Sequence, residues 1–408
     1  MENFEDDGRI NRFKLLPQTY KLCDSCVGRL AAKIGYNLTN KKRGELLREQ
    51  ILRLKMVDSN QCWLCEGLTS EVDHFVSLIE KRLQSFEFDT FLIGTHVDEE
   101  ILNKEDMLQH ITGSDIAESI KNELNRNIGK KIEENGNKKV DFRYPDIMVI
   151  MDTMFDYIKL QIKPFYIYGR YNKFQRGIPQ TKWFCRSCNG KGCRNCNYTG
   201  KLYKNSVEEL IAEPILFASH SVDESFHGSG REDIDVRMLG SGRPFVIEIK
   251  DPKKRTLDLM KLTEQINTNN KGVIGVNNLR YAQKEEIATI KEGHFSKRYR
   301  VQLTCSKPFL KEKLKKVAVS LRGKTIEQFT PTRVARRRAH KIRKRQIYAC
   351  EIEQIDEAIA TLIIEAESGT YIKELITGDN GKTQPSVSSL LGDPCTVAAL
   401  DVMEIKGG

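Results

Sequence analysis

Long uncharged apolar segments are missing from this sequence, and none approaches the length needed to span a membrane. The first residues, MENFEDDGR, are acidic and do not resemble a secretory signal peptide, which begins with basic residues and continues with an apolar stretch. Internal repeats and low-complexity segments are missing as well. We therefore expect a cytoplasmic globular protein with no membrane partner.

A glycine-rich loop for a nucleotide or S-adenosylmethionine is also missing. The segment GDNGKT (residues 378–383) resembles the end of a phosphate-binding P-loop. That motif requires a glycine five residues before Gly381, where this sequence has Ile376. We therefore predict no organic cofactor.

Positive charge is what the sequence has in excess. Its 408 residues include 66 Lys and Arg against 56 Asp and Glu, which gives a net charge of +10. A basic protein of this kind favours a polyanionic partner, most often nucleic acid. The length predicts two or three domains, and 39% apolar residues with 30% charged residues are typical of a soluble globular protein.

Part of this charge lies in one run, RVARRRAHKIRKR (residues 333–345), which has eight basic residues and no acidic one. Such runs are often solvated faces or disordered tails. This run lies between segments that look ordered and includes apolar residues, which favours a structured element that contacts phosphates. We predict that Arg336, Arg337 and Arg338 contact a nucleic-acid backbone, and a solvated face is the alternative.

Eight of the eleven cysteines form four CxxC pairs: Cys23/Cys26, Cys62/Cys65, Cys185/Cys188 and Cys193/Cys196. In a cytoplasmic chain such pairs indicate metal binding before disulfides, and two pairs complete the tetrahedral shell of one zinc ion. We predict that the first two pairs form one structural zinc site. Zinc is also favoured for the compact second cluster, where a redox pair or a turn without metal is the alternative. Cys305, Cys350 and Cys395 do not belong to a CxxC pair and are predicted to be core residues.

Hydrophobic periodicity predicts an α+β fold in two parts. Residues 1–172 are assigned to a zinc-binding α/β domain, with helices over 44–54, 71–83 and 116–132 and strands over 89–97, 147–151 and 157–162. Residues 173–408 are assigned to a second domain with an extended, mixed and largely antiparallel sheet, with strands over 245–249, 272–276, 299–304, 347–355 and 359–366. Ser206 and Glu209 form a capping box for a short helix that Pro214 is expected to end or kink.

The most unusual stretch is ESFHGSGREDIDVRMLGSGRPFVIEI (residues 224–249), in which two arginines alternate with three carboxylates between glycine pairs. The carboxylates lack the spacing of a calcium loop, and the arginines would repel a cation. The carboxylates would in turn repel a phosphate. The composition favours one ionised carboxylate, held by arginine neighbours, that acts as a nucleophile or base; a surface loop with ion pairs is the alternative.

Three motifs carry a resemblance to a known family. SGTYIKEL (residues 368–375) resembles the C-terminal motif of tRNA pseudouridine synthases, GRED (230–233) resembles their catalytic aspartate loop, and KRYRVQL (297–303) resembles the strand that carries their uracil-stacking tyrosine. With the CxxC pairs and a THUMP-like N-terminal part, nearly the whole chain is similar to the archaeal and eukaryotic family that modifies the T arm of tRNA (pseudouridine synthase 10 type).

The resemblance implies roles for individual residues. Asp233 would be the nucleophile, with Asp235 as the fallback, and Tyr299 would stack on the uracil and be a candidate general base. Lys373 would pair with Asp233; relatives with arginine there would have a bidentate fork that lysine lacks. Leu375 would pack near the base, and Arg231 and Arg237 would contact the substrate. The resemblance also implies that the partner is tRNA, that its T-arm position 54, 55 or both is modified, and that the target uridine is flipped out of the arm. Nothing in the sequence requires more than a monomer.

Two other functions are alternatives to this one. A THUMP-type tRNA methyltransferase or thiolation enzyme would require a cofactor or nucleotide loop, which the sequence lacks. A zinc-dependent RNA-binding protein without activity would not explain the segments GREDIDVR and GTYIKEL.

Overall fold

The computed structural model describes residues 8–16, 19–49, 57–337 and 339–407, with only the backbone for residues 8, 9, 336 and 337. The chain divides into two compact units. The first contains the residues up to Lys163 together with Asp251–Arg255, and the second contains Pro164–Lys250 and Thr256–Gly408. No helix of the described residues is both long and apolar enough to cross a membrane.

The first unit is an α/β unit built on a four-stranded sheet of order β2-β1-β3-β4. Its helices are α1 (Asp24–Leu30), α2 (Asn40–Leu47), α3 (Val72–Leu83), α4 (Glu99–Thr112) and α5 (Ile120–Asn135), and its strands are β1 (Thr90–His96), β2 (Lys139–Val140), β3 (Ile147–Asp152) and β4 (Tyr157–Ile162). Strand β1 is parallel to β2 and β3, and β4 is antiparallel to β3.

The helix predicted over residues 116–132 begins later, at Ile120, because the Ser119 side chain caps it by accepting a hydrogen bond from the Asn122 amide at 3.2 Å. The segment predicted to be helical over residues 44–54 is α2 only as far as Leu47, and residues 50–56 lie outside the described part of the chain.

The second unit is built on a ten-stranded sheet. Its strands are β5 (Phe165–Lys173), β6 (Asp223–Gly228), β7 (Arg237–Lys250), β8 (Ile274–Ala282), β9 (Lys297–Cys305), β10 (Thr325–Phe329), β11 (Ile342–Ile355), β12 (Ala360–Ala366), β13 (Thr383–Gln384) and β14 (Cys395–Ile405). Its helices are α6 (Val207–Ser219), α7 (Leu259–Asn269), α8 (Glu286–Glu292), α9 (Lys311–Leu321), α10 (Ile372–Thr377) and α11 (Val387–Leu391).

The order of this sheet is β13-β10-β11-β12-β9-β14-β7-β5-β8, with β6 paired to β7. Strands β7 and β14 are parallel, and the other neighbouring pairs are antiparallel. The prediction of a mixed, largely antiparallel sheet is therefore confirmed. Strand β5 belongs to this sheet, and the second unit begins at Pro164, whereas the sequence predicted a domain boundary after residue 172.

Helix α6 continues through Pro214 to Ser219, so of the two predicted outcomes, an end or a kink at Pro214, the end does not occur. Proline has no amide hydrogen to donate to the carbonyl four residues earlier. That carbonyl, of Leu210, accepts a hydrogen bond from Asn270 Nδ2 at 3.5 Å instead. A neighbouring side chain thus satisfies the acceptor that proline leaves free.

Two of the three cysteines outside the CxxC pairs are joined to each other. Cys305, at the end of β9, and Cys395, at the start of β14, form a disulfide. The antiparallel register of β9 and β14 places these two residues directly opposite each other. Cys350 is buried in the core, as predicted, and is a free thiol.

Candidate active site in the second unit

A pocket of about 550 Å³ lies on the second unit. Its lining comes from six parts of the chain: the loop between β6 and β7 (residues 229–236), strands β7, β9 and β14, the basic segment at residues 333–345, and the segment that leads into α10. The three motifs that carry the family resemblance thus meet at one cavity. Val236, Leu400 and Val402 add apolar surface to its wall.

Asp233 lies in this pocket and is held by two cations. Arg333 Nη1 donates to both carboxylate oxygens of Asp233, at 3.0 and 2.9 Å, and Lys373 Nζ is 3.3 Å from Oδ2. Arg333 is itself oriented by Glu374, whose buried carboxylate accepts a hydrogen bond from its Nε at 2.6 Å. Two cationic side chains therefore fix the position of the Asp233 carboxylate.

A contact between Arg333 and Asp233 was not predicted from the sequence. Arg333 is the first residue of the basic run, and its local sequence does not differ in kind from that of the other arginines in the run. No sequence pattern distinguished it, because its contact with Asp233 spans one hundred residues. The run therefore supplies a residue that lines this pocket and contacts Asp233.

Lys373 lies closer to Asp235 than to its predicted partner. Its Nζ donates to both oxygens of Asp235, at 2.8 and 2.7 Å. Burial of the Asp235 carboxyl opposes ionisation, but the hydrogen bonds and charge of Lys373 outweigh it and lower the pKa of Asp235. Lys373 thus bridges the two aspartates, and Arg333 provides the guanidinium that position 373 lacks.

Tyr299 lies in the same pocket, on β9, and is only 7% exposed. Burial raises the pKa of its hydroxyl to about 12, although the nearby charge of Arg243 opposes this. Tyr299 is therefore a neutral phenol near pH 7. An aromatic face in this position suits stacking on a base, whereas action as a general base would require the phenolate.

Behind Asp233 lies a buried charge network that the sequence did not reveal. Glu232 points inward, where Arg243 Nε is 2.8 Å from its carboxylate and the Tyr171 hydroxyl donates to both oxygens at 2.9 and 2.8 Å. Lys173 Nζ donates to the backbone carbonyl of Asp233 at 3.1 Å and lies 3.8 Å from Glu232. The network therefore fixes the backbone that carries the Asp233 side chain.

The other predicted substrate-contacting residues occupy different places. Arg231 lines the pocket, with its guanidinium 5.4 Å from the centre of the Trp183 ring. Arg237 is outside the pocket lining and pairs with Asp401 through two hydrogen bonds of 2.9 and 2.6 Å. Leu375 is fully buried in the hydrophobic core and does not line the pocket. For Arg336 and Arg337 only the backbone is described, and Arg338 lies outside the described residues.

The cysteine pairs form two tetrads, one in each unit. In the first tetrad Cys23 Sγ is 3.7 Å from Cys65 Sγ. In the second the spacings are 3.9 Å for Cys185 and Cys193 and 3.8 Å for Cys188 and Cys196. Four sulfurs placed tetrahedrally at about 2.3 Å from one ion would be roughly 3.8 Å apart. Each tetrad therefore fits one metal ion of its own. This includes the compact second cluster, for which a redox pair or a turn without metal was the alternative.

Comparison with known proteins connects both units to one family. The family described as "Pus10, C-terminal" matches residues 166–406, and "Pus10 THUMP domain, archaeal" matches residues 75–152. The chain is 39% identical to the tRNA pseudouridine synthase Pus10 of Methanothrix thermoacetophila, over 95% of this chain and 92% of the relative. It is 41% identical to the protein of the same name from Methanocaldococcus jannaschii, with the same shares covered.

Similarity to solved structures is weaker. A chain in the crystal structure of a Cbf5-Nop10-Gar1 complex is 17% identical over 49% of this chain and 45% of that chain, with a TM-score of 0.31. The assignment therefore depends on the family matches and on the relatives, which cover nearly the whole sequence. The chain belongs to the Pus10 family of pseudouridine synthases, which are isomerases.

Proposed function

We propose that this protein converts uridine to pseudouridine in the T arm of tRNA, at position 54, 55 or both, with Asp233 as the nucleophile. The observation that carries the proposal is the position of Asp233: its carboxylate lies in a pocket of about 550 Å³, beside Tyr299 and within hydrogen-bond reach of Arg333. The names of the relatives support tRNA as the substrate.

The reaction breaks the bond between N1 of uracil and C1′ of the ribose, turns the base, and joins C5 to C1′. In the proposal the Asp233 carboxylate assists the cleavage, and Arg333 and Lys373 hold it in position. Tyr299 stacks on the uracil, and the apolar wall of the pocket keeps the detached base from leaving. The target uridine must be flipped out of the arm to enter the pocket.

Other parts of the chain have supporting roles in this proposal. Arg231 contacts the substrate at the pocket, and Arg336, Arg337 and Arg338 contact phosphates. Arg237 and Leu375 act indirectly, because Arg237 is already paired with Asp401 and Leu375 is fully buried in the core. The first unit, which contains the THUMP match, is proposed to bind tRNA. We place the protein in the cytoplasm as a monomer.

We propose zinc as the metal of both tetrads. Four thiolates without a non-cysteine ligand are typical of closed structural zinc sites, and such sites stabilise the fold. A bound zinc ion would cross-link the loops that carry the CxxC pairs. The isomerisation itself requires no organic cofactor, because it involves no net oxidation and no transfer to a second molecule.

The positions can be tested with tRNA transcripts that carry tritium at C5 of their uridines. Replacement of U54 or U55 by C should remove the tritium release and the pseudouridine that come from the substituted position. The transcript with both replacements should release no tritium and contain no pseudouridine. Unchanged tritium release from the double variant would place the modified uridine outside these two positions and contradict the T-arm assignment.

A further inference from the structure

Lys297 is a second ionisable group in the pocket, and neither the family motifs nor the proposed roles assign it a function. It lies on β9, two residues before Tyr299, so both side chains project from the same face of the strand. Lys297 lines the pocket and is only 9% exposed. Within the described part of the chain no group accepts a hydrogen bond from its Nζ or forms an ion pair with it.

The shape of the loop leaves room for this amine. Gly230 has a positive φ of 80°, and a methyl group on its Cα would lie 3.1 Å from Lys297 Nζ. A side chain at position 230 would thus approach the amine from the loop that carries Asp233. Lys297 Nζ and the proposed nucleophile therefore face one cavity.

The charges around Lys297 disfavour a further cation. Burial and the neighbouring charge of Arg243 lower the pKa of Lys297 to about 7, although Glu232 opposes the shift. Glu232 is already shared between Arg243 and Lys173. The other charged groups that line the pocket are Arg231, Asp233, Arg333, Arg343 and Arg345, of which only Asp233 is an anion. A substantial fraction of Lys297 is therefore the neutral amine near pH 7.

Pseudouridine formation requires a base after the new bond between C5 and C1′ has formed. Once C5 of the uracil has bonded to C1′, C5 carries one hydrogen too many and must lose it as a proton. Tyr299 is poorly suited to accept it, because its pKa of about 12 leaves it protonated near pH 7. An amine two residues away on the same strand face is free to accept that proton.

We propose that Lys297 Nζ is the general base that removes the C5 proton. The electron pair of the C5–H bond re-forms the C5–C6 double bond, the electrons of the N1–C6 double bond move to N1, and Lys297 becomes an ammonium ion. N1 then takes up one proton, so one proton leaves C5 and one arrives at N1. No oxidant, reductant or co-reactant is needed. This proposal rests on the pocket being the active site, but not on which uridine of the tRNA is modified.

The test uses the full chain and unfractionated tRNA that carries tritium or deuterium at C5 of its uridines. Wild-type turnover should increase as the pH rises through about 7, because the base must be neutral. Lys297→Met should slow turnover by about 10²- to 10⁴-fold, lose this pH dependence and show a larger isotope effect from deuterium at C5. Lys297→Arg should behave like Lys297→Met, since arginine stays protonated.

Two controls keep the outcome clear. Lys315→Met replaces an exposed lysine paired with Glu312 and should leave the rate and the pH profile unchanged. Methylamine added to Lys297→Ala should restore part of the turnover, which a merely structural role would not produce. Melting temperature and tRNA affinity are measured for every variant.

Three results would overturn the proposal: Lys297→Met with wild-type turnover and pH profile, a loss of turnover explained by weaker tRNA binding, or slow turnover with an unchanged isotope effect and no amine rescue. If wild-type protein released no tritium at all, the pocket itself would be misassigned, which is a different failure.

Discussion

At the scale of single residues, the pair of Arg333 and Asp233 is the contact that the sequence did not predict. Arg333 touches Asp233 and the buried Glu374 together. Arg333→Gln should reduce the single-turnover rate about 10- to 100-fold at saturating tRNA. A hydrogen bond to a charged group contributes about 1.5–3 kcal/mol, and each 1.4 kcal/mol is about tenfold in rate.

Arg322→Gln is the matched control for this prediction. Arg322 pairs with Glu351 at 3.7 Å, and both side chains are more than half exposed. Its replacement should leave the rate unchanged. An Arg333→Gln enzyme with a full rate at saturating tRNA, and a defect only in binding, would show that Arg333 serves the tRNA backbone instead.

The residue assignments show what a motif can supply and what it cannot. Asp233, Tyr299 and Lys373 lie in short segments with a family pattern, and the structure brings all three to one place. Glu232, Asp233 and Asp235 are closely spaced in one loop. The loop conformation decides which of these carboxylates points inward, and no sequence pattern predicts that conformation. Glu232 turned out to be the buried one.

At the scale of elements, most strands were found but their ends were not. Strand β7 begins at Arg237, whereas the sequence predicted a strand only from residue 245. A glycine pair normally indicates a loop, but Gly240 and Gly242 lie inside this strand. A side chain at Gly240 would lie 1.9 Å from the Met403 carbonyl oxygen of the neighbouring β14, so the glycine allows close approach between strands.

Three elements of the first unit are connected by a buried ion cluster. Arg29 of α1 pairs with Glu105 of α4 and Glu123 of α5, each at 3.0 Å, and Arg29 is fully buried. Arg29→Met would leave two buried carboxylates without their cation and should destabilise this unit by about 3–5 kcal/mol in denaturant unfolding. Arg12→Met, which removes an exposed pair with Asp115, should cost less than about 1 kcal/mol. Equal effects of the two substitutions would contradict the importance of burial.

The second tetrad gives a prediction about metal content. Cys193→Ser should lower the zinc content from about two ions per chain to one, because three thiolates no longer close the site. The first tetrad lies in the other unit and should keep its ion. Metal analysis beside thermal melting checks this, and an unchanged zinc content would show that the second tetrad does not hold the metal.

At the scale of the whole molecule, family membership decides among the functions considered from the sequence. It favours a pseudouridine synthase over a tRNA methyltransferase or thiolation enzyme and over an RNA-binding protein without activity. Composition alone predicted only a polyanionic partner. The activity became predictable once three motifs were read together, because each motif separately is short enough to occur by chance.

The basic run at residues 333–345 gives a prediction about how tRNA binding depends on salt concentration. Neutralising Arg336, Arg337 and Arg338 together should weaken tRNA binding and lower the slope of log K against log salt by about one to two units, since each lost phosphate contact removes roughly 0.7 to 0.9. Titration of the triple variant against tRNA at several salt concentrations measures this slope. An unchanged slope would identify this part of the run as a solvated face.

The central claim is that Asp233 performs the chemistry, and one comparison tests it most directly. Asp233→Asn and Asp235→Asn are each mixed with C5-tritiated tRNA, and tritium release and tRNA binding are measured in the same samples. Asp233→Asn should bind tRNA with near-normal affinity and release no tritium, because the carboxylate acts in the reaction and adds little to binding. Asp235→Asn should retain activity. Near-normal tritium release by Asp233→Asn, with its loss in Asp235→Asn, would contradict the account and move the nucleophile to Asp235.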